Sequence, residues 1–352
     1  MRTLMIMAGG TGGHVFPGLA VADHLRRLGW SVVWLGSRAG MEAKLVAARG
    51  YPMALIDFSG LRGKGIVAAA MLPLRLLRAF WQSLRAIGRH RPDVVLGLGG
   101  YVSFPGGMMA RLLGRPLVLH EQNSVAGLAN RVLALVANRV LAAFPGVLRK
   151  AQVVGNPVRS EIVASPPPEV RYGSRTGPLR LLVVGGSLGA KAINDVVPRA
   201  IALLPVQSRP VITHQAGAKH VDGLRSLYDE SGVTANAVPF IDDMASAYRD
   251  ADVVVCRAGA LTVSELSVAG VASVLIPYPF AVDDHQTGNA RYLADAGAAI
   301  LLSQQDLTAE RLASLISGFT RDGLSAMARK ARALAMPQAA EQVAHACMEL
   351  AR

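Results

Sequence analysis

The chain has 352 residues, 37 Lys and Arg against 24 Asp and Glu, a formal net charge of +13 and a pI near 10.4. That length accommodates two domains of ordinary size. Hydrophobic residues make up 51% and mean hydropathy is +0.34, yet no uninterrupted apolar stretch reaches the length of a membrane span. Two cysteines, Cys256 and Cys347, form no disulfide framework, which suits a reducing cytosol. The basic balance points to anionic partners: nucleotide phosphates, an anionic membrane surface or nucleic acid. With 5% aromatics and no stacking-rich basic module, nucleic acid is the weakest of the three.

Thr3 to Ala8 reads as an apolar strand leading straight into a glycine turn, which is not a secretory signal. Gly9-Gly10-Thr11-Gly12-Gly13-His14 reads as the loop after it. Val15 to Leu28 follows as an amphipathic helix with Leu19, Ala22 and Leu25 inward. A dinucleotide fingerprint fails here, because Gly10 and Gly12 require glycine where Val15 stands. The second strand, Ser31 to Leu35, ends in Gly36-Ser37 without a carboxylate for a ribose. No Gly-Lys-Ser/Thr closes the loop, so it is not a Walker A motif. What remains is a glycine loop that lets a ligand approach the backbone closely. His14 stands at its mouth. A single histidine is more often a cap or a packed residue, but a place at a strand's carboxyl end favours function.

Gly60 to Gly65 is a basic glycine turn, and Ile66 to Leu72 is almost wholly apolar. A helix is predicted from Pro73 to Arg89. Arg75, Arg78, Arg85 and Arg89, with Gln82 among them, form one stripe beside another of Leu74, Leu77, Trp81 and Leu84. From Arg62 to Arg115 there are nine basic residues and one acid, Asp93. An apolar ridge flanked by arginines suits an anionic bilayer; the plainer reading is a core-facing helix with a solvated basic back. Asp93 to Leu96 is a strand ending in Gly97-Leu98-Gly99-Gly100-Tyr101. Leu117 to Leu119 is another, ending in His120-Glu121-Gln122-Asn123. Ser124 stands where a zinc helix needs its second histidine. A helix from Val125 to Val136 is expected next, so Gln122 and Asn123 are expected to face the same cleft as His14.

Gly155-Asn156-Pro157-Val158-Arg159 ends the first half, and Ser165 to Pro178 reads as exposed linker. The strand, glycine loop and helix then recur: Leu179 to Val184, Gly185 to Gly189, Ala190 to Leu204. Amides at the helix start after Ser187 suit phosphate oxygens, and Asn194 is expected in the cleft. In the strand Val238 to Ile241, Ile241 offers its backbone to a nucleobase edge. Asp242 is the expected cap of the following helix. Asp250-Ala251-Asp252 has the form of a metal-binding pair, but it precedes the strand Val253 to Cys256 and so lies at the edge away from ligands. After that strand, the turn Arg257 to Ala260 opens a helix over Leu261 to Ala269 that carries Glu265. A carboxylate there can accept from both hydroxyls of a ribose, or can simply be solvated, and spacing alone leaves both open. Gln286 and Asn289, in a helix over Asp283 to Ala296, both donate and accept, as sugar hydroxyls require. The tail from Pro337 to Arg352 reads as a helix returning to the first domain.

In chain order, GGTGGHVFPGLA, GLGGYVS, HEQN, GNPVR, GGSLGA, FIDDMA, GALTVSE and DHQxxNA resemble the MurG family, the UDP-N-acetylglucosamine transferases that make the last lipid-linked precursor of peptidoglycan. The resemblance implies an α/β protein of GT-B glycosyltransferase fold, with two Rossmann-like domains facing one another across a cleft. Residues 1–158 with 337–352 form the acceptor and membrane-binding domain, and 159–336 the UDP-sugar domain. It implies inverting transfer of N-acetylglucosamine from UDP-N-acetylglucosamine to undecaprenyl-diphosphate-N-acetylmuramyl-pentapeptide. Carried onto this chain, the substrate-binding residues are Thr11, Gly12, Gly13, Asn123, Arg159, Ser187, Asn194, Ile241, Ala260, Leu261, Thr262, Val263, Ser264, Glu265, Gln286 and Asn289. His14 is the candidate base, with Asp93 second, and charge on the leaving diphosphate falls on amides near Ser187 and Ala260, aided by Arg159. No metal and no cofactor is implied. The implied partners are UDP-N-acetylglucosamine, the undecaprenyl-linked acceptor, an anionic membrane surface at the cytoplasmic face of the bacterial inner membrane, and proteins of cell-wall synthesis, but not nucleic acid. One departure is His285-Gln286, where some relatives carry two glutamines; Gln286 keeps the sugar contact. The rival readings are transfer to a different lipid, a UDP-sugar epimerase of the same fold, and a non-catalytic nucleotide-sugar module.

Overall fold

The computed structural model describes residues 2–38, 40–58, 71–186 and 189–351. The basic glycine turn at Gly60 to Gly65, with Arg62, and the site candidate Ser187 lie outside the described residues. The chain divides into two compact units, residues 1–159 with 336–352 and residues 160–335.

The first unit runs β1 (Thr3–Met7), α1 (Gly12–Arg27), β2 (Ser31–Ser37), α2 (Met41–Ala48), β3 (Met53–Ile56), α3 (Leu72–His90), β4 (Val94–Gly97), α4 (Ser103–Leu112), β5 (Leu117–Glu121), α5 (Leu128–Leu133), β6 (Arg139–Ala142) and β7 (Gln152–Val153). Among the described residues its seven strands are all parallel, in the order β3-β2-β1-β4-β5-β6-β7. Parallel strands need crossover helices, which cover both faces of the sheet, so the strands read as unbroken apolar runs. Alternate residues of β1 serve opposite faces. Leu4 and Ile6 pack with Val15, Leu19 and Ala22 of α1, whereas Met5 and Met7 pack with Ile87, Ala110 and Leu133.

The second unit runs α6 (Ser160–Val163), α7 (Pro168–Gly173), β8 (Arg180–Val184), α8 (Lys191–Ala202), β9 (Val211–Gln215), α9 (Val221–Glu230), β10 (Asn236–Val238), α10 (Met244–Asp250), β11 (Val253–Cys256), α11 (Ala260–Ala269), β12 (Ala272–Leu275), α12 (His285–Ala294), β13 (Ile300–Leu301), α13 (Ala309–Ser317) and α14 (Arg321–Ala333). Its parallel order is β10-β9-β8-β11-β12-β13. A final helix, α15 (Ala339–Leu350), belongs to the first unit and puts Val343, Ala344 and Cys347 into the core beside α1.

Each sheet reverses its order once, between β1 and β4 and between β8 and β11. At such a reversal the two crossover connections leave in opposite directions and open a crevice beyond the carboxyl ends of the strands. The strand ends there are level: Met7 pairs with Gly97, and Val184 with Cys256.

Several boundaries differ from the sequence reading. Helix α1 begins at Gly12, so Gly12, Gly13 and His14 are its first turn rather than a loop. β10 ends at Val238, which leaves Ile241 beyond the strand. Asp243, not Asp242, caps α10, its carboxylate accepting from the Ser246 N–H at 2.9 Å. Of the apolar stripe on α3, three members face outward and Leu84 is half-buried. Leu74, Leu77 and Trp81 are 61%, 66% and 57% exposed, while the buried face is Ala79, Ser83 and Ile87. Among the described residues no helix is long and apolar enough to cross a membrane.

Candidate functional site

In the first unit the two glycine turns of the reversal point touch. Gly100 has φ +78, and a Cβ there would stand 2.2 Å from the Gly9 carbonyl oxygen, so only glycine lets the backbones meet. The His14 ring lies against the same turn: a Cβ on Gly99 would come 3.2 Å from its Cδ2 and Nε2, and 3.3 Å from Nδ2 of Asn130. Thr11 occupies the cap position of α1, but its hydroxyl is 3.1 Å from His14 Nδ1 and no side chain caps the helix. The first turn of α1 therefore presents amides to an anion. Arg159 stacks on Phe16 of the same helix, 5.5 Å from the ring centre.

The HEQN turn is an internal brace. Burial pulls the His120 imidazole down to about 4, so the ring is neutral. Its Nε2–H donates to the Gly155 carbonyl at 2.9 Å, and Nδ1 accepts from the Gln122 amide at 3.2 Å. The Glu121 carboxylate accepts from the N–H groups of Asn123 and Gly127 and from the Asn130 amide, at 2.9, 3.2 and 2.8 Å. Gln122 is buried, not facing a cleft, whereas Asn123 is half-buried. Glu42 repeats the device on α2: fully buried, it accepts from the N–H groups of Ser37 and Gly10. Asp93 is not placed for catalysis. It precedes β4 at the amino edge of the sheet, opposite the glycine turns, and its carboxylate accepts from the Thr3 N–H at 2.6 Å.

In the second unit α11 starts just beyond β11, at the reversal point, with Gly259 in the cap position and no side-chain cap. Ala260, Leu261 and Thr262 form its first turn, and Glu265 stands in the second. The solvated alternative for Glu265 does not hold: it is 4% exposed, and the Tyr248 hydroxyl donates to its Oε2 at 3.1 Å. The Val263 side chain is fully buried, and the Ser264 hydroxyl donates to the Ala260 carbonyl, so those two side chains serve the helix. Asn289, expected at the sugar, and Asn194, expected in the cleft, both make buried hydrogen bonds within the unit. Asn289 is fully buried and donates to the Ala258 carbonyl at 3.1 Å, holding the turn before α11. Asn194 is 3% exposed; it donates to the Ala216 carbonyl and accepts from His214 Nε2, both at 3.1 Å. The Gln286 side-chain carbonyl accepts from the Tyr278 N–H at 2.9 Å, and its NH₂ and second lone pair can still serve a ligand.

Asp252 is committed to structure. It is fully buried against Arg175, accepts from the Arg180 N–H at 2.8 Å and lies 3.7 Å from Arg321. A carboxylate so engaged is no part of a metal-binding pair. The sequence reading missed Tyr248 and Arg257. Arg257 stacks on Tyr278 at 5.4 Å and donates to the Ile276 and Pro277 carbonyls and to Gln304. Its place directly after β11 was the available signal; Tyr248 had none.

Residues 4–142 match the Glycosyltransferase family 28 N-terminal domain, and residues 180–343 the Glycosyltransferase family 28 C-terminal domain. A Cupriavidus pinatubonensis protein named UDP-N-acetylglucosamine--N-acetylmuramyl-(pentapeptide) pyrophosphoryl-undecaprenol N-acetylglucosamine transferase is 64% identical over 351 residues, covering 100% of this chain and 99% of that one. A Ralstonia nicotianae protein of the same name is 60% identical over 354 residues, covering 100% and 97%. Among solved structures, Acinetobacter baumannii MurG superposes with a TM-score of 0.86 at 42% identity, covering 99% of this chain and 100% of that one. The glycosyltransferase VinC, solved in complex with DTDP, shares the fold at a TM-score of 0.65 and 16% identity, covering 99% and 100%. Two family 28 domains, two parallel sheets with matched reversal points and full-length relatives at this identity agree: the chain is a glycosyltransferase of GT-B fold and belongs to the MurG family.

Proposed function

We propose that this protein transfers N-acetylglucosamine from UDP-N-acetylglucosamine to undecaprenyl-diphosphate-N-acetylmuramyl-pentapeptide, with inversion at the anomeric carbon. The observation that carries the reading is in the second unit. There the uncapped start of α11 and the nearly buried Glu265 offer, within two turns of one helix, amides for a diphosphate and a carboxylate for a ribose. The donor belongs to this unit. The acceptor diphosphate belongs to the amides at the start of α1 and the glycine turns beside it. Arg159 adds fixed positive charge at α1.

His14 acts as the base for the acceptor hydroxyl. For Nε2 to take that proton, Nδ1 must carry the ring's hydrogen and donate it to the Thr11 hydroxyl 3.1 Å away. The Thr11 hydroxyl can accept that hydrogen, so the contact is compatible with the tautomer the base needs. The amides at α11 stabilise the departing diphosphate without a metal. The outward Leu74, Leu77 and Trp81 with their flanking arginines hold the protein at an anionic membrane surface, where a lipid-linked acceptor resides.

The test is radiolabelled sugar transfer from UDP-N-acetylglucosamine to a short-chain lipid acceptor, with UDP as inhibitor. The expected result is acceptor-dependent transfer that UDP suppresses. Donor consumption without acceptor would point to an epimerase, and binding without turnover to a nucleotide-sugar module.

A further inference from the structure

We propose that Tyr248 is a positioning residue for donor binding, acting through Glu265; the inference rests on the reading of Glu265 as the ribose carboxylate. Tyr248 lies in α10, is 1% exposed and is among the largest fully buried side chains of the protein. Its phenol is held on a fixed frame. The carboxylate of Asp243 caps α10 through the Ser246 N–H, and the Arg171 guanidinium donates to the Tyr248 carbonyl at 3.2 Å. The same guanidinium, 5% exposed, donates to the carbonyls of Ala269 and Gly270 at the end of α11. One buried cation therefore ties together the helix that carries Tyr248 and the helix that carries Glu265.

A carboxylate on a single-bonded stem turns freely unless something holds it. The phenol donates to Oε2 at 3.1 Å, which restrains the carboxylate. The phenol gives and Glu265 accepts. Without the phenol, the buried carboxylate loses a donor that restrains its orientation. Tyr248 touches no substrate in this account; its effect reaches the donor only through Glu265.

The experiment is calorimetric binding of UDP and of 2′,3′-dideoxy-UDP to the full-length protein and to Tyr248→Phe, Glu265→Ala and the double variant, with donor kinetics on Tyr248→Phe. Losing a hydrogen bond to a charged group is worth about a tenfold or greater change in affinity. Tyr248→Phe is expected to weaken UDP by roughly that factor while leaving the dideoxy nucleotide within about twofold. The loss should fall on donor KM rather than on kcat. The double variant should bind UDP no more weakly than Glu265→Ala alone, because Tyr248 has nothing left to position. Equal losses for both nucleotides, or additive losses in the double variant, would overturn the proposal and make Tyr248 a packing residue. If Glu265→Ala itself fails to distinguish the two nucleotides, the ribose reading of Glu265 has failed, and the proposal goes with it. Phenylalanine keeps the ring, and a thermal melt of each variant separates loss of fold from loss of positioning.

Discussion

At the scale of single residues, His14 carries the sharpest consequence. A base positioned for the acceptor hydroxyl is worth about a hundredfold or more in turnover. His14→Ala should therefore lower kcat by at least that factor and leave UDP affinity nearly unchanged. A fall of less than tenfold at saturating substrates would reduce His14 to a packing role, and Asp93, at the far edge of the sheet, would not replace it. His120 and His214 make a second prediction. Burial lowers the first to about 4 and the second to about 3, against 6.5 unfolded. Between those values the unfolded chain binds the extra protons. Stability is thus complete above about pH 6.5 and falls on acidification, by up to roughly 1.4 kcal/mol per pH unit for each ring. Denaturant melts at pH 7.5, 6 and 5 should show the decline, and His214→Gln should remove about one proton from the slope. An unaltered slope would mean that the ring is not held neutral. The amides explain why part of the site was illegible. Asn194 and Asn289 have the chemistry of sugar ligands, yet their partners are carbonyls 22 and 31 residues away. An amide serves a hydroxyl or a buried carbonyl equally well, and only the tertiary fold decides which it meets.

At the scale of elements, the strands were legible because parallel strands covered on both faces must be apolar throughout, and runs such as Val253 to Cys256 admit little else. Helix starts were less so: glycines read as loop, yet Gly12 and Gly13 sit in the first turn of α1. That shift matters, since it puts His14 on a helix and not on a mobile loop. The turn before α8 offers a test. Gly189 has φ +78, and a Cβ there would fall 1.9 Å from the Ala216 carbonyl oxygen. Gly189→Ala should cost roughly 1–3 kcal/mol from backbone strain alone, with more from the clash. Gly173, with nothing within 4 Å of its would-be Cβ and no positive φ, is the control. Gly173→Ala should stay within about 0.5 kcal/mol of the parent in the same thermal melt. Equal losses at the two positions would show that the close approach to Ala216 is relaxed away.

At the scale of the whole molecule, the exposed ridge of α3 implies binding to anionic vesicles that weakens with salt, each basic residue near the surface adding about 1 kcal/mol. Replacing Leu77 and Trp81 together by serine should reduce vesicle retention in sedimentation and leave UDP binding intact. Equal retention on neutral and anionic vesicles would remove the arginines from the account. A different consequence follows from α15. Its residues Val343, Ala344 and Cys347 complete a core whose other members come from before residue 160, and they are translated only after the whole of residues 160–335. During synthesis the second unit can close while the first still lacks one wall. A chain stopped after Ala335 should keep a cooperatively melting second unit and show a first unit open to proteolysis. Loss of both units at once would mean that neither folds alone. If the second unit holds the donor and the first the acceptor, as proposed above, the nascent chain has the means to hold a nucleotide sugar before it has a finished surface for the lipid that receives it.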